Sequence, residues 1–134
     1  MLMVDVAAPL ARGRAMAEAL MVDECVVRRR TGAVTDPDTA VVTPEYTVVY
    51  VGKCRIQQPT SAAREESPGQ AVLLMLRFEL QVPISAVGIA ADDEVLLTAS
   101  QFDPDLVDRE FVVRGLSHKT HPVMRRVEIE ERTS

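Results

Sequence analysis

Tryptophan is missing from this sequence, and only two tyrosines and three phenylalanines are present. With so few rings, the core is expected to come from Val, Leu, Ile, Met and Ala. The same shortage leaves little material for the stacking platforms that hold single-stranded nucleic acid. Cysteine is scarcer still: Cys25 and Cys54 are the only two, and neither sits in a CxxC pair. Two cysteines in a chain of this size make no disulfide framework. Both lie in Val-rich stretches, so buried free thiols are expected. No apolar run approaches the ~18 residues of a membrane span. Residues 1–9 lack the basic start of a secretory leader. A protein made and used in a reducing cytoplasm is expected.

What is present is the composition of one folded domain. The 134 residues are 47% apolar and 26% charged, well away from disordered compositions. Fifteen Lys and Arg stand against twenty Asp and Glu, a formal net charge of -5. That balance argues against a free-standing duplex-DNA binder, which needs a basic face to neutralise phosphates. It suits a wall past which DNA moves without sticking.

The pattern predicts one helix over 9–21, opened by Pro9 at a first-turn position. Leu10, Met16, Ala17, Leu20 and Met21 fall broadly on one side, with Arg12, Arg14 and Glu18 turned away. Thirteen residues are marginal without a docking surface, so Leu20 is expected to be covered. From Asp23 onward the period shortens to that of strands. Strands are expected over 24–31, 45–58, 71–82, 95–100, 110–116 and 125–132. Gly52 marks a bulge or bend, and Val127 and Ile129 point inward. A long polar loop fills 59–70. One helix and about six short strands imply a mainly β fold, a small antiparallel barrel whose closure removes exposed strand edges.

Clusters that can carry chemistry are few. His118 and His121, joined with Cys25 or Cys54, have the donor types of a zinc site, but a His-x-x-His in a loop is usually polar surface. Asp92, Asp93 and Glu94, with Asp103, Asp105 and Asp108, are acidic enough for a cation or for acid–base work. They fall on expected turns, where Asp caps backbone N–H groups. Arg28 and Arg30 share one face of a strand and Arg29 takes the other, and ion pairs within or between subunits are favoured over phosphate contact. No Ser–His–Asp order, glycine-rich phosphate loop or nucleophile elbow occurs. No enzyme activity, metal or cofactor is expected.

The order of segments then matters: CVVRRRTG, a strand ending KCRIQ, ADDEVLLTAS, a DPDL turn, DREFVVRG and a closing RRVEIEE. This order resembles the small head–tail connector proteins of tailed bacteriophages, in particular the head-closure or head-to-tail stopper group of phages of actinobacteria. Where this chain has Asp108, relatives in that group often carry Gly, which makes a tighter turn. The resemblance implies a structural virion protein in the phage neck, forming a ring of roughly twelve-fold symmetry assembled in the host cytoplasm. Its implied neighbours are the portal or adaptor on the head side and a tail terminator or tail tube protein on the other. Genomic DNA would pass through without sequence-specific binding, and no membrane is involved. Leu10, Leu20, Met21, Arg28 and Arg30 are then candidates for subunit interfaces, and Arg64, Glu65 and Glu66 in the long loop for the channel or a neighbouring ring. A tail terminator or minor tail protein is the first alternative. A small barrel that binds nucleic acid or a peptide is the second.

Overall fold

The computed structural model describes residues 5–58 and 77–132. The loop expected over 59–70, with Arg64, Glu65 and Glu66, and the first half of the strand expected over 71–82 lie outside them.

One helix, α1 (Ala7–Ala19), precedes six strands: β1 (Asp23–Thr35), β2 (Val42–Gln57), β3 (Arg77–Val82), β4 (Glu94–Ala99), β5 (Glu110–Ser117) and β6 (Arg125–Glu131). All neighbouring pairs are antiparallel. Their order, β1-β2-β3-β6-β5-β4, returns to β1 and closes a barrel. The mainly β expectation therefore holds. A barrel of so few strands has an interior only wide enough for its own side chains. Alternation supplies them: Cys25 and Val27 from β1, Leu80 and Val82 from β3, Val95 and Leu97 from β4, Phe111 and Val113 from β5, Val127 and Ile129 from β6. Two rings sit among them after all, Phe78 and Phe111 meeting edge to face at 5.1 Å. This corrects the expectation of a ringless, Met-bearing core, for Met21 is the one methionine that is buried among the described residues.

The segment after β3 is not a simple link. Ala86 and Ile89 tuck into the core, and Val113 exchanges backbone hydrogen bonds with Asp92 and Asp93 at 2.8 Å. Asp92 and Asp108 adopt left-handed backbone (φ 73 and 68), which Asp tolerates better than most residues. At Asp108 the turn is pinned by an N–H donated to the Leu97 carbonyl at 2.8 Å.

Of the bulge or bend expected at Gly52, the register against β1 shows no bulge. Gly52 pairs in register with Cys25, and the register shifts fall between Val27 and Arg28 and between Arg30 and Gly32. Its φ of 156 and missing Cβ matter for another reason: a Cβ there would lie 2.8 Å from the Tyr50 hydroxyl. That hydroxyl donates to the Lys53 carbonyl at 2.6 Å, and burial pushes the Tyr50 phenol up to about 12.

The helix docks on a face that shares Leu10 and Ala17 with the expected one and otherwise differs from it. Leu10, Gly13, Arg14, Ala17 and Glu18 are the half-covered positions, at helical spacing. A Cβ at Gly13 would sit 2.8 Å from Val123, Arg14 Nε donates to the Pro122 carbonyl at 3.1 Å, and Glu18 pairs with Lys53 at 2.9 Å. Arg14 and Glu18 therefore face the barrel, while Met16 is 74% and Leu20 55% exposed. The helix ends at Ala19, so Leu20 caps it and Met21, buried in the link to β1, is no part of a helix face. Among the described residues no helix is long and apolar enough to cross a membrane.

Cys25 and Cys54 are free thiols with no exposed surface. A hydrogen bond to Cys25, and then burial, hold the Cys54 thiol far above its ordinary range. Ellman's reagent at neutral pH is expected to find no reactive thiol in the native protein and two after denaturation. Prompt native reaction would show that the core opens readily.

Candidate interaction surface

β1 and β2 are too long for the barrel. Among the described residues β1 pairs with β4 from Glu24 to Arg28, and β2 pairs with β3 from Arg55 to Gln57. Beyond these stretches the two strands pair only with each other among the described residues, out to Thr35 opposite Val42. The result is a two-stranded ribbon that projects from the barrel. Its side chains are uncovered, including Val34 (51%), Val41 (57%) and Val42 (56%). The tip turn is closed by hydrogen bonds. Asp36 N–H donates to the Val41 carbonyl at 2.9 Å, Ala40 N–H to the Asp36 carbonyl at 2.8 Å, and Asp38 N–H to the Asp36 carboxylate at 2.8 Å. That last bond holds the Asp36 carboxyl below its ordinary value.

Where the ribbon leaves the barrel, the arginine run is tied down. Arg28 lies 4.0 Å over the Tyr46 ring and 3.3 Å from Glu94. Arg29 grips the buried Asp93 with two nitrogens, at 2.8 and 2.9 Å, and donates to the Gly88 carbonyl at 2.7 Å. The hydrogen bonds to Asp93, and then its charge, raise the Arg29 guanidinium. Asp93 also accepts the Ala90 N–H at 2.8 Å, so the pair staples the segment after β3 to β1. Arg30 is exposed. Beside Arg28 a polar cleft of about 610 Å³ is lined by Tyr46, Asp108, Arg109, Glu110, Glu131 and Arg132. Its cations face carboxylates: Arg109 pairs with Glu131 at 3.1 Å, and Arg132 with Glu94. Along β5 and β6 the same holds, with Arg114 on Glu130 at 3.0 Å and Arg126 on Glu79 at 3.7 Å. Guanidinium groups already neutralised in this way are poorly placed to take up phosphate.

At the other end of β1 lies an apolar groove of about 480 Å³. Leu20, Val22, Ile56, Phe102 and Leu106 line it, with Arg55, Asp23 and Asp103 among the polar members. Phe102 is 78% exposed. The groove's carboxylates are already engaged. Buried Asp23 accepts the Ser100 hydroxyl at 3.0 Å and the Gln101 N–H at 3.1 Å, and Asp103 accepts the Asp105 N–H at 3.0 Å.

The expected acidic cluster thus splits between turn chemistry at Asp103 and ion pairing at Asp93 and Glu94. His118 and His121 are exposed on the link between β5 and β6, while Cys25 and Cys54 are sealed in the core, so these four do not meet. No group of three or more His, Cys, Asp or Glu is placed to hold a metal among the described residues. Of the interface candidates, Leu20 joins the groove and Arg28 the polar cleft, Leu10 is half-covered against the barrel, and Met21 is buried. Val22, Ile56, Phe102 and Leu106 were not anticipated. The signal for them was a phenylalanine, Phe102, directly before the Asp103-Pro104-Asp105 turn.

Fold and surface together define a small closed barrel with a two-stranded ribbon and, among the described residues, an exposed apolar groove. The chain belongs to a family of unknown function, DUF6093, whose profile matches residues 13–130. No curated protein and no solved structure matches it.

Proposed function

We propose that this chain is a structural subunit of a tailed-phage neck, a head-to-tail stopper that assembles as a ring between head and tail and carries out no catalysis. The observation that carries the reading is the ribbon, a hydrogen-bonded two-stranded arm with bare valines that extends beyond a barrel already filled by its own core. Exposed apolar side chains held on a pre-ordered arm are costly unless a partner covers them. The net charge of -5 and the arginines paired to carboxylates suit a wall past which DNA moves, rather than a surface that grips it. The segment from Asp103 to Gly115, the most specific part of the sequence resemblance, forms the 3-10 turn Pro104–Leu106, the left-handed turn at Asp108 and most of β5.

Reconstruction of purified particles by electron microscopy is the test. The barrel is expected in the neck, as a ring of roughly twelve copies between the portal side and the tail. A position at the tail end of the neck, next to the tail tube, would make it a terminator instead. Absence from particles would overturn the virion reading altogether.

A further inference from the structure

We propose that the groove at the start of β1 receives an arginine, flanked by large apolar residues, from a neighbouring protein of the assembly. The inference rests on the assembly reading above and names the chemistry of the partner that reading requires.

Charge carries the argument. Elsewhere on the barrel, carboxylates are met by guanidinium groups: Glu130 by Arg114, Glu131 by Arg109, and Glu94 by Arg28 and Arg132. The groove departs from that rule. Asp23 (8% exposed) and Asp103 line it, and Asp105 lies in the same turn. None of these carboxylates has an ion-pair partner among the described residues, and Arg55, the one cation of the lining, pairs with none of them. The hydrogen bonds to Asp23 both end on Oδ1, and so does the bond to Asp103. The second oxygen of each is therefore left without a donor among the described residues. Asp23, Asp103 and Asp105 against Arg55 leave the groove negative, so an incoming segment has to bring positive charge.

The apolar members decide which cation. Leu20, Val22, Ile56, Phe102 and Leu106 surround the carboxylates, and an inorganic ion would leave them wet. An arginine covers them: its stem lies along apolar surface, and its planar guanidinium stacks on a ring while forking onto a carboxylate. The chain uses this combination once already, where Arg28 lies 4.0 Å over the Tyr46 ring and 3.3 Å from Glu94. The groove sets Phe102 beside carboxylates in the same way, and among the described residues no arginine lies over that ring. Asp23 holds the arrangement in place, since its Oδ1 ties Ser100 and Gln101 to the start of β1 and the Ser100 hydroxyl accepts the Asp103 N–H at 3.3 Å. Phe102 is 78% exposed. A small molecule lying in the groove would leave it uncovered, whereas a chain crossing the groove brings apolar neighbours to cover Leu20 and Phe102 together.

A nuclear magnetic resonance titration of the isotope-labelled full chain tests this. The probes are acetylated and amidated pentapeptides Ala-Leu-X-Leu-Ala, with arginine, glutamine or glutamate at X. The arginine peptide is expected to move the amide signals of Leu20, Val22, Gln101 and Phe102 saturably. It should bind about 10-fold more tightly than the glutamine peptide, and the glutamate peptide more weakly again. Asp23→Asn with Asp103→Asn keeps the accepting oxygens and removes the charge, so the double variant should hold the arginine and glutamine peptides equally. Should Asp23→Asn fail to fold, Asp103→Asn alone, at an exposed position, must still narrow the preference. Phe102→Ala should weaken every peptide. Equal binding of all three peptides to wild type would mean a groove without cation preference, and stronger binding of the glutamate peptide would make Arg55 the deciding group; either overturns the inference. The absence of any saturable shift overturns it too. So do shifts of the same signals with protein concentration alone, which would mean that a second copy covers the groove. None of these results touches the neck reading, which fails only if the protein is absent from particles.

Discussion

Phe111→Ala should destabilise the barrel by about 4 kcal/mol, measured as the shift in the midpoint of urea unfolding. Phe111 has no exposed surface and is the largest of the fully buried side chains. Its ring meets Phe78 edge to face at 5.1 Å, a contact that adds about 0.5–1.5 kcal/mol beyond burial. Strands close around it on every side, so the cavity left by truncation cannot collapse cheaply. Domains of this size are stable by about 5–15 kcal/mol, so the variant is expected to be partly unfolded at moderate temperature. A loss under about 1 kcal/mol would show that the barrel interior repacks freely, contrary to its closed hydrogen-bond ring.

Asp93→Ala is the second large effect, expected to cost about 2–3 kcal/mol. Asp93 is 1% exposed and accepts the Ala90 N–H together with two nitrogens of Arg29. Removing it leaves the Ala90 N–H without its carboxylate acceptor and detaches the segment that carries Ala86 and Ile89 into the core. Arg29→Ala should lower the unfolding midpoint too, because it leaves a buried carboxylate without its guanidinium. The two changes act on one contact, so the double variant should lose less than the sum of the singles. Strict additivity would mean that the pair is not coupled and that the staple has been misread.

Both predictions concern residues that sequence treated unequally. Phe111 stands in EFVVRGL, which reads as a strand, and there it shares the face of Val113 opposite Glu110 and Arg114, a local pattern that the expectation of a core without rings passed over. Asp93 stands in an acidic run that reads as a turn. That its carboxylate meets Arg29 depends on a separation of 64 residues closed by the barrel, and no local pattern encodes it. The helix shows the same limit. Its position is legible to within two residues, but its docking face is not, because the surface it meets offers the Pro122 carbonyl, Val123 and Lys53 instead of an apolar floor. A hydrophobic-stripe argument assumes an apolar partner, and here the partner favours a glycine, an arginine and a glutamate.

β1 separates what each level decides. Burial of Cys25 was readable from its Val-rich surroundings, and the inward side of β6 from the alternation of Val127 and Ile129, whereas the inward place of Val27 shows only in the barrel. Gly32 read as the end of β1, yet the strand continues to Thr35 because β2 supplies hydrogen-bond partners out to Val42. Local pattern reports which side chains avoid water, and so it was sufficient for a mainly β domain of about six strands with buried thiols. It does not report where a neighbouring strand stops. That is why the barrel's closure, the ribbon that outruns it, and the groove at the opposite end of the same strand emerge only once strands distant in sequence are paired in space.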